Sequence, residues 1–252
     1  DSESCWQGLL ERSELAQRFA LLNYGVGGYG LDQTYLLMRL VLPRFQARAP
    51  VVVIGILVDD DLDRCYLALR DAPKPYFTLK GDELVPHPPE TRDTASFLRA
   101  HPLEIRSYLW RLFTLHSGLV APETAIAWAG EGDHVAVKQA LGARLLLELR
   151  HELEERGLRS FVVLFHARRS LSVPEGEGWQ ERFLLESLRR EALPFVSSRR
   201  VLSADMQRTG ADPASYFHPG GAGANHYTAA ANAIVFAALR DGLEGRFEPA
   251  EH

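Results

Sequence analysis

The sequence predicts an α/β fold in which helices cover both faces of a mostly parallel central sheet, as a three-layer sandwich. Two observations lead to this fold class. Short apolar segments typical of strands buried on both faces alternate along the chain with amphipathic segments of helical period. Strands that alternate with helices form parallel sheets. The 252 residues are 46% hydrophobic and 24% charged, which are ordinary values for a globular protein and exclude disorder.

The first part of the chain contributes two predicted strands and two predicted helices. In order, these are a helix in CWQGLLERSEL, a buried strand in FALLNYGV, a helix in LDQTYLLMRLVLPRF and a strand in APVVVIGIL. The FALLNYGV segment leads into a cluster of four glycines: Gly25, Gly27, Gly28 and Gly30. Such a cluster indicates tight turns or a close approach of another group to bare backbone.

The rest of the chain continues the alternation after an irregular segment. The predicted elements are a hairpin in KPYFTLKGDELVPH, helical segments within 103–115, a long helix from Val135 to Arg156, a strand in SFVVLFHA, a helix in WQERFLLESLRREAL, a short strand in PFVSSRRVL and a last helix from Tyr227 to Leu239. No linker or repeat divides the chain. We therefore expect residues 1–252 to form a single domain, with an insertion or cap at 74–132.

Charge and composition exclude several classes of partner. The net charge of −5 is modest and mixed in sign, so no basic stripe indicates a nucleic-acid partner. No apolar run is long enough for a membrane span. The carboxylates within 59–63 could be a metal cluster, but we favour a role in capping a helix in LDRCYLALR, because carboxylates stabilise helix N-termini and no His/Asp spacing completes a metal site. We expect neither a metal nor another cofactor.

Ligands of parallel α/β sheets bind outside the carboxyl ends of the strands. Three predicted loops leave those ends, at 25–30, at 58–63 and after His166, and a fourth at 217–225 precedes the last helix. The functional residues are expected in these loops.

Three segments resemble, in order, sequence blocks of the SGNH (GDSL-type) hydrolases. Leu-Asn followed by Gly-x-x-Gly-x-Gly and Asp-Gln is similar to the second block, VVVIGILVDDDLDR to the third and NHYTAAANAIVFAAL to the last. The resemblance implies a flavodoxin-like, five-stranded parallel sheet between helices. It also implies an ester hydrolase or acyltransferase that uses a serine nucleophile, a histidine base and an oxyanion hole of backbone amides.

The resemblance assigns roles to four residues of this chain. His226 matches the catalytic histidine, Gly28 the oxyanion glycine and Asn23 the polar residue that ends the second strand. Asp59 occupies the place of the third-block asparagine. This is a departure from the family pattern, because a carboxylate accepts hydrogen bonds and cannot donate one to an oxyanion.

Two further departures concern the remaining catalytic groups. The position three residues before His226, where the family commonly has an aspartate, is Gly223. A rival alignment makes His218 the base, and it then puts Ser215 at the aspartate position. The block that carries the nucleophile should precede the first helix, so the resemblance implies a serine upstream of Asp1, with Ser2 as the alternative.

The expected substrate is a small-molecule or glycan ester. The alternative function is a catalytically inactive SGNH-like domain that binds a glycan or a protein partner, because the serine, the aspartate and the asparagine of the pattern are not found at their places. The sequence does not indicate the oligomeric state or the localisation of the protein.

Overall fold

A computed structural model of the protein describes residues 5–65, 68–69, 72–89, 91, 93, 95–96, 99, 134–219 and 226–244. The chain divides into two compact units. Unit 1 is drawn from Asp1–Val26, Arg39–Asp59 and Leu149–His252, and unit 2 from Gly27–Met38 and Asp60–Glu148.

Six α-helices and seven strands have their bounds within the described residues. The helices are α1 (Trp6–Glu11), α2 (Leu31–Val41), α3 (His134–Glu155), α4 (Trp179–Arg190), α5 (Ser198–Thr209) and α6 (Ala229–Leu243). The strands are β1 (Val52–Leu57), β2 (Ala68–Leu69), β3 (Ala72–Pro73), β4 (Tyr76–Lys80), β5 (Glu83–His87), β6 (Ser160–Phe165) and β7 (Phe195–Ser197).

The main sheet belongs to unit 1 and has the order β1-β6-β7, with both pairs parallel. In the register of the first pair, Ile54 lies opposite Val162 and Gly55 opposite Val163. Successive side chains of a strand point to opposite faces, and the four residues of β6 from Phe161 to Leu164 are all buried, so both faces of this strand are covered. The structure confirms an α/β fold with a mostly parallel sheet.

One face of the sheet in unit 1 packs against helices from both ends of the chain. Phe161 and Val163 of β6 belong to a core cluster with Leu10 of α1, Leu202 of α5 and residues of α6. The α6 members are Ala231, Val235, Phe236, Leu239 and Leu243. The alanine-rich last helix can approach the sheet closely because the side chains between its larger residues are small. This packing fixes the start of α6 near the carboxyl edge of the sheet.

The strand predicted in FALLNYGV is wrong. The segment contains no strand, and Leu22, Tyr24 and Val26 are 55%, 42% and 48% exposed. An isolated strand leaves its backbone N–H and C=O groups without partners, and apolar composition alone cannot supply them. Among the described residues no strand pairs with this segment.

The glycine cluster has local structural reasons at two of its positions, both in unit 2. Gly28 has a φ of 89°, which residues with a side chain rarely adopt. A Cβ on Gly30 would lie 2.9 Å from an Asp32 carboxylate oxygen and 3.0 Å from the backbone carbon of Arg64. The prediction of tight turning and close approach is therefore confirmed at these two glycines.

Two predictions around the strand ends need correction. Residues 59–64 form turns rather than the start of a helix, and β2 then pairs antiparallel with β3, so the helix predicted in LDRCYLALR is wrong. Up to Cys65, where the described part of this stretch ends, the backbone makes one α-helical hydrogen bond, from the Arg64 N–H to the Asp60 carbonyl, and one of 3-10 type, from the Cys65 N–H to the Leu62 carbonyl. The strand predicted in PFVSSRRVL ends at Ser197, because the hydroxyl of that serine accepts the Arg200 N–H and caps α5.

The predicted hairpin is confirmed, since β4 pairs with β5 around residues 81–82. The predicted strands in APVVVIGIL and SFVVLFHA are confirmed as β1 and β6. The helices α2, α3, α4 and α6 are also confirmed, with ends that differ from the predicted ones by up to four residues, whereas α5 was not predicted. The helical segments predicted within 103–115 lie outside the described residues, as does most of the predicted cap. No helix within the described part of the chain combines the length and apolar character that a membrane span requires.

Unit 2 contains a buried ion pair. Lys74, which precedes the hairpin, donates to the Asp32 carboxylate near the start of α2, and the two side chains are 6% and 0% exposed. Burial raises the pKa of Asp32, and the Lys74 charge offsets only part of this effect. Removing one partner of such a pair leaves an uncompensated charge in the interior.

We predict that Lys74→Met lowers the free energy of unfolding by about 3–5 kcal/mol, because it leaves Asp32 buried without a cation. Chemical denaturation followed by circular dichroism measures this loss. Lys80→Met is the matched control, since Lys80 is exposed at the end of β4, and it should change the same quantity by less than about 0.5 kcal/mol. Equal effects of the two substitutions would show that the ion pair does not stabilise the unit.

Candidate functional site

The carboxyl edge of the main sheet gathers polar residues of unit 1. Asp59 follows β1, His166 follows β6 directly, and Ser198 follows β7 as the first residue of α5. Because the three strands are parallel and adjacent, their carboxyl ends lie along the same edge. Open α/β sheets bind ligands at this edge, so its polar groups are the first candidates for a functional site.

Asp59 links the end of β1 to the loop after β6. Its carboxylate accepts hydrogen bonds from the Ala167 N–H, the Arg169 Nε and the Ser170 hydroxyl, at 2.9 Å each. Burial alone would raise the pKa of this carboxyl, but the three hydrogen bonds outweigh it and hold the pKa of Asp59 below its ordinary value. Asp59 is therefore an ionised acceptor engaged by its own chain.

His166 is the centre of a buried hydrogen-bond network. Its Nε2 lies 2.8 Å from Glu181 Oε1, and its Nδ1 lies 3.0 Å from Ser198 Oγ. The Arg199 N–H also donates to Nδ1, so the network assigns the ring proton to Nε2. Glu181 Oε1 accepts a second hydrogen bond from Arg199 Nε at 2.7 Å, and its Oε2 accepts the Gly176 N–H at 2.8 Å.

The trio Ser198, His166 and Glu181 has the residue types of a catalytic triad, but its burial argues against that role. The three residues are 0%, 1% and 3% exposed. A nucleophile must reach its substrate, and a general base must reach the proton that it takes. Polar groups that are this buried and this fully hydrogen-bonded are ordinary structural features. We therefore assign this network to the support of the carboxyl edge.

Tyr227 connects the network to the last loop of the chain. Its hydroxyl accepts the His166 N–H at 3.0 Å, and it lies 2.7 Å from Ser198 Oγ and 2.9 Å from the His166 carbonyl oxygen, to which it can donate. The ring contacts Phe217 edge-on, with 5.2 Å between centroids, and Phe165 at 6.1 Å. The side chain thus reaches from the loop before α6 to the end of β6.

The two candidate bases, His218 and His226, lie opposite each other. Phe217 and Tyr227 form an antiparallel bridge, and the His218 N–H donates to the His226 carbonyl at 2.9 Å. Because side chains alternate along extended backbone, Phe217 and Tyr227 share the inner face and the two histidines share the outer one. Both histidines are exposed. Neither ring makes a hydrogen bond within the described residues.

The other predicted site residues have separate positions. Asn23 is exposed, and its side-chain oxygen accepts the Gly25 N–H at 2.8 Å in a local turn. Gly28 belongs to unit 2, and its N–H makes no hydrogen bond within the described part of the chain. Ser2 and Gly223 lie outside the described residues. Of the predicted residues, Asp59, His218 and His226 thus lie at the carboxyl edge of the main sheet in unit 1. Asn23 makes no hydrogen bond to any of them.

The carboxylates after Asp59 pair with cations of unit 2. Asp60 and Asp61 each bind Arg64, at 2.9 and 3.1 Å, and Asp63 binds Lys138 at 2.7 Å. Within the described ranges, no group of three or more His, Cys, Asp or Glu side chains is arranged to hold a metal ion. These carboxylates have ion-pair partners in place of the capping role that the sequence suggested.

Sequence reasoning missed the network around His166. The sequence placed His166 only at the start of a loop, while Glu181, Ser198, Arg199 and Tyr227 lie in other segments with no shared motif. One signal was available: a polar residue that comes directly after a buried strand, as His166 does after SFVVLF, often needs a buried partner.

The Glu181 carboxylate should make stability depend on pH. Burial raises the pKa of Glu181, but the hydrogen bonds from His166 and the Gly176 N–H and the nearby charge of Arg199 outweigh it, so the folded pKa is lower than the ordinary value. The stability that Glu181 contributes is therefore complete above the ordinary glutamate pKa of about 4.3, and it is lost as pH falls through the lower folded value.

We predict that Glu181→Gln lowers the free energy of unfolding at pH 7 by about 3–5 kcal/mol, because Arg199 loses its buried partner. The difference from the unmodified protein should shrink as the pH falls below about 4.3. Denaturant unfolding at several pH values between neutral and acidic measures both effects. Glu186→Gln, at an exposed position of the same helix, should show neither, and a pH-independent loss in Glu181→Gln would contradict the assignment.

Asp59→Asn should destabilise unit 1 by about 1–3 kcal/mol, because its amide nitrogen would face hydrogen-bond donors that the carboxylate now satisfies. Thermal unfolding measures the effect. Asp60→Asn removes a neighbouring carboxylate whose side chain is 47% exposed, and it should cost less than about 1 kcal/mol. If both variants unfold like the unmodified protein, Asp59 does not fix the loop after β6.

The chain was compared with protein-family models, curated proteins and solved structures. The chain matches no family model, and neither the curated proteins nor the solved structures include a significant match.

Proposed function

We propose that the chain belongs to an ester hydrolase or acyltransferase of the SGNH type, in which His226 is the general base. The nucleophile in this proposal is a serine upstream of Asp1, with Ser2 as the alternative, and the substrate is a small-molecule or glycan ester. A base activates a serine hydroxyl by taking its proton, and backbone amides stabilise the oxyanion that forms. The mechanism requires no cofactor.

The observation that carries the proposal is the contrast between two histidines at one edge of the sheet. His166 is buried, and both of its ring nitrogens are hydrogen-bonded, as expected for a structural histidine. His226 is exposed, and its ring makes no hydrogen bond within the described residues, while its backbone carbonyl is held by His218. An accessible ring on a fixed backbone is what general base catalysis needs.

His226 is preferred to His218 because its neighbours along the chain fix its position better. Tyr227 ties the backbone next to His226 to the end of β6, and the Thr228 hydroxyl caps α6 by accepting the Ala231 N–H. This arrangement is similar to the family pattern, in which the catalytic histidine begins the last helix. His218 precedes Pro219, and although the neighbouring Phe217 packs in the core, no side-chain hydrogen bond within the described residues ties the residues next to His218 to a strand end.

The oxyanion donors in this proposal are backbone amides, with Gly28 among them. The Gly28 N–H makes no hydrogen bond within the described residues, and a residue without a side chain lets another group approach its backbone. Asp59 is not a donor, because its carboxylate oxygens already accept three hydrogen bonds. Losing one oxyanion donor raises a barrier by roughly 2.7–4 kcal/mol, so a site without the asparagine depends more on its glycine amide.

The second candidate function is an inactive SGNH-like domain that binds a glycan or a protein partner. Asp59 favours this candidate, because its carboxylate occupies the position at which the family has an asparagine that donates to the oxyanion. Fluorophosphonate labelling separates the candidates, because such probes phosphonylate an activated hydroxyl, which the enzyme has and the binding domain lacks.

We predict that the complete protein, with any residues that precede Asp1 in its reading frame, hydrolyses p-nitrophenyl acetate. His226→Ala should lower kcat/KM by about 10²–10⁴-fold, which is the range for loss of a general base. His218→Ala is the matched control on the same outer face, and it should change kcat/KM by less than about tenfold.

Three outcomes contradict parts of this proposal. A larger loss in His218→Ala than in His226→Ala would make His218 the base. Undiminished hydrolysis in both variants would remove both histidines from the mechanism. A complete protein that neither hydrolyses the ester nor reacts with a fluorophosphonate would favour the binding domain.

A further inference from the structure

We propose that Tyr227 is the positioning residue of His226, and that its hydroxyl fixes the segment 226–228 to the carboxyl ends of β6 and β7. The catalytic part of this inference rests on the proposed function, in which His226 is the base. The structural part, that the hydroxyl holds the segment in place, stands on the contacts of Tyr227 alone.

A short backbone ladder contains both exposed histidines. The His218 N–H donates to the His226 carbonyl, and the Thr228 N–H donates to the Tyr216 carbonyl, both at 2.9 Å. These bonds hold 226–228 against 216–218. Apolar packing of Phe217 and of α6 in the core cluster holds the ladder near the sheet. Such packing is not directional, so a hydrogen bond to the strand ends adds a restraint on the position of His226 that packing does not supply.

The Tyr227 hydroxyl connects this ladder to the sheet. Among the hydrogen bonds of the described residues, those of this hydroxyl join the ladder to the residues after β6 and β7. The hydroxyl accepts the backbone N–H of His166 and lies within hydrogen-bond distance of Ser198 Oγ. Burial raises the pKa of Tyr227, which keeps the phenol protonated and able to donate. Both of its partners are themselves buried and immobilised in the His166 network.

Tyr227 and His226 are neighbours whose side chains have opposite directions. Consecutive side chains of extended backbone point to opposite faces, so Tyr227 reaches inward where His226 faces outward. Fixing the phenol therefore fixes the Cα of Tyr227 and, through one peptide plane, the Cα of His226. A shift of about 1 Å in a catalytic group can cost about a hundredfold in rate, so this restraint matters for catalysis.

The fold itself does not depend on the hydroxyl. The His166 N–H also lies 3.1 Å from Ser198 Oγ, so it keeps an acceptor when the hydroxyl is removed. The ring contacts of Tyr227 with Phe217 and Phe165 are apolar and persist in a phenylalanine. Tyr227→Phe thus removes the restraint and leaves the packing.

The chain offers a closely matched control in Tyr216. Its ring is buried, its hydroxyl donates to Asp205 Oδ2 at 2.6 Å, and its carbonyl belongs to the same ladder. The partner of the Tyr216 hydroxyl differs from those of the Tyr227 hydroxyl, because Asp205 lies within α5 and not at a strand end. Tyr216→Phe therefore removes one tyrosine hydrogen bond beside the ladder without touching the link to the sheet.

The experiment compares Tyr227→Phe and Tyr216→Phe in the complete protein with two readouts. Steady-state hydrolysis of p-nitrophenyl acetate should show kcat reduced by about tenfold or more in Tyr227→Phe, with KM nearly unchanged, because orientation and not binding is lost. Amide hydrogen exchange at Thr228 and His218, whose N–H groups are the donors of the ladder, should accelerate by about tenfold in the same variant. In Tyr216→Phe, kcat, KM and exchange at these two amides should stay close to those of the unmodified protein.

Each result has a defined meaning. Equal changes in the two variants, in either readout, overturn the assignment, since they would reflect a general loss of packing. A raised KM with unchanged kcat in Tyr227→Phe also overturns it. If the unmodified protein is inactive, the proposed function fails, but faster exchange in Tyr227→Phe alone still supports the structural role, and unchanged exchange refutes it.

Discussion

The pairing of β6 with β1 on one side and β7 on the other is the constraint on which the carboxyl edge depends. β6 is buried on both faces and hydrogen-bonded along both edges. Its last residue therefore has a fixed position, and so does His166, which comes directly after it. Asp59 binds the next residue of that loop, Ala167, and Tyr227 binds the backbone of His166 itself. The edge is organised around the end of this central strand.

The polar groups at this edge divide into two kinds with different physical roles. Glu181, His166, Ser198 and Arg199 are buried and satisfy one another, which makes them costly to disturb individually. Outside them lie two histidines whose rings face solvent. A rigid, fully bonded inner layer beneath an exposed outer one is the arrangement that catalytic and binding sites share, because preorganisation requires support. The proposed function assigns chemistry to the outer layer only.

Much of the fold could be predicted from sequence, because the relevant signals are local. β1 and β6 are short apolar runs, the β4–β5 hairpin turns at a glycine, and α3 and α4 show a helical period. The strand predicted in FALLNYGV does not form, because a strand needs a neighbouring strand to pair with, and pairing is not a local property of the sequence. The helix predicted in LDRCYLALR does not form, because Ala68 and Leu69 of this segment pair with β3 as a strand.

The candidate site was predicted less completely than the fold. His226, His218 and Asp59 could be named from their order along the chain, but their partners could not, since Tyr227, Ser198 and Glu181 meet only after folding. The rival alignments for the base also gave no indication that both histidines share one face. That relation comes from the register of the Phe217–Tyr227 bridge, which no motif encodes.

Because the side chains at 226 and 227 point in opposite directions, the two adjacent positions differ in how many amino acids the fold tolerates. The side chain of residue 227 contacts the interior, where its ring and hydroxyl have defined neighbours. The side chain of residue 226 faces solvent, so the fold accepts many amino acids there at little thermodynamic cost. The identity of the side chain at 226 is accordingly not dictated by folding, and a lineage could gain or lose it in a single step while keeping the same architecture.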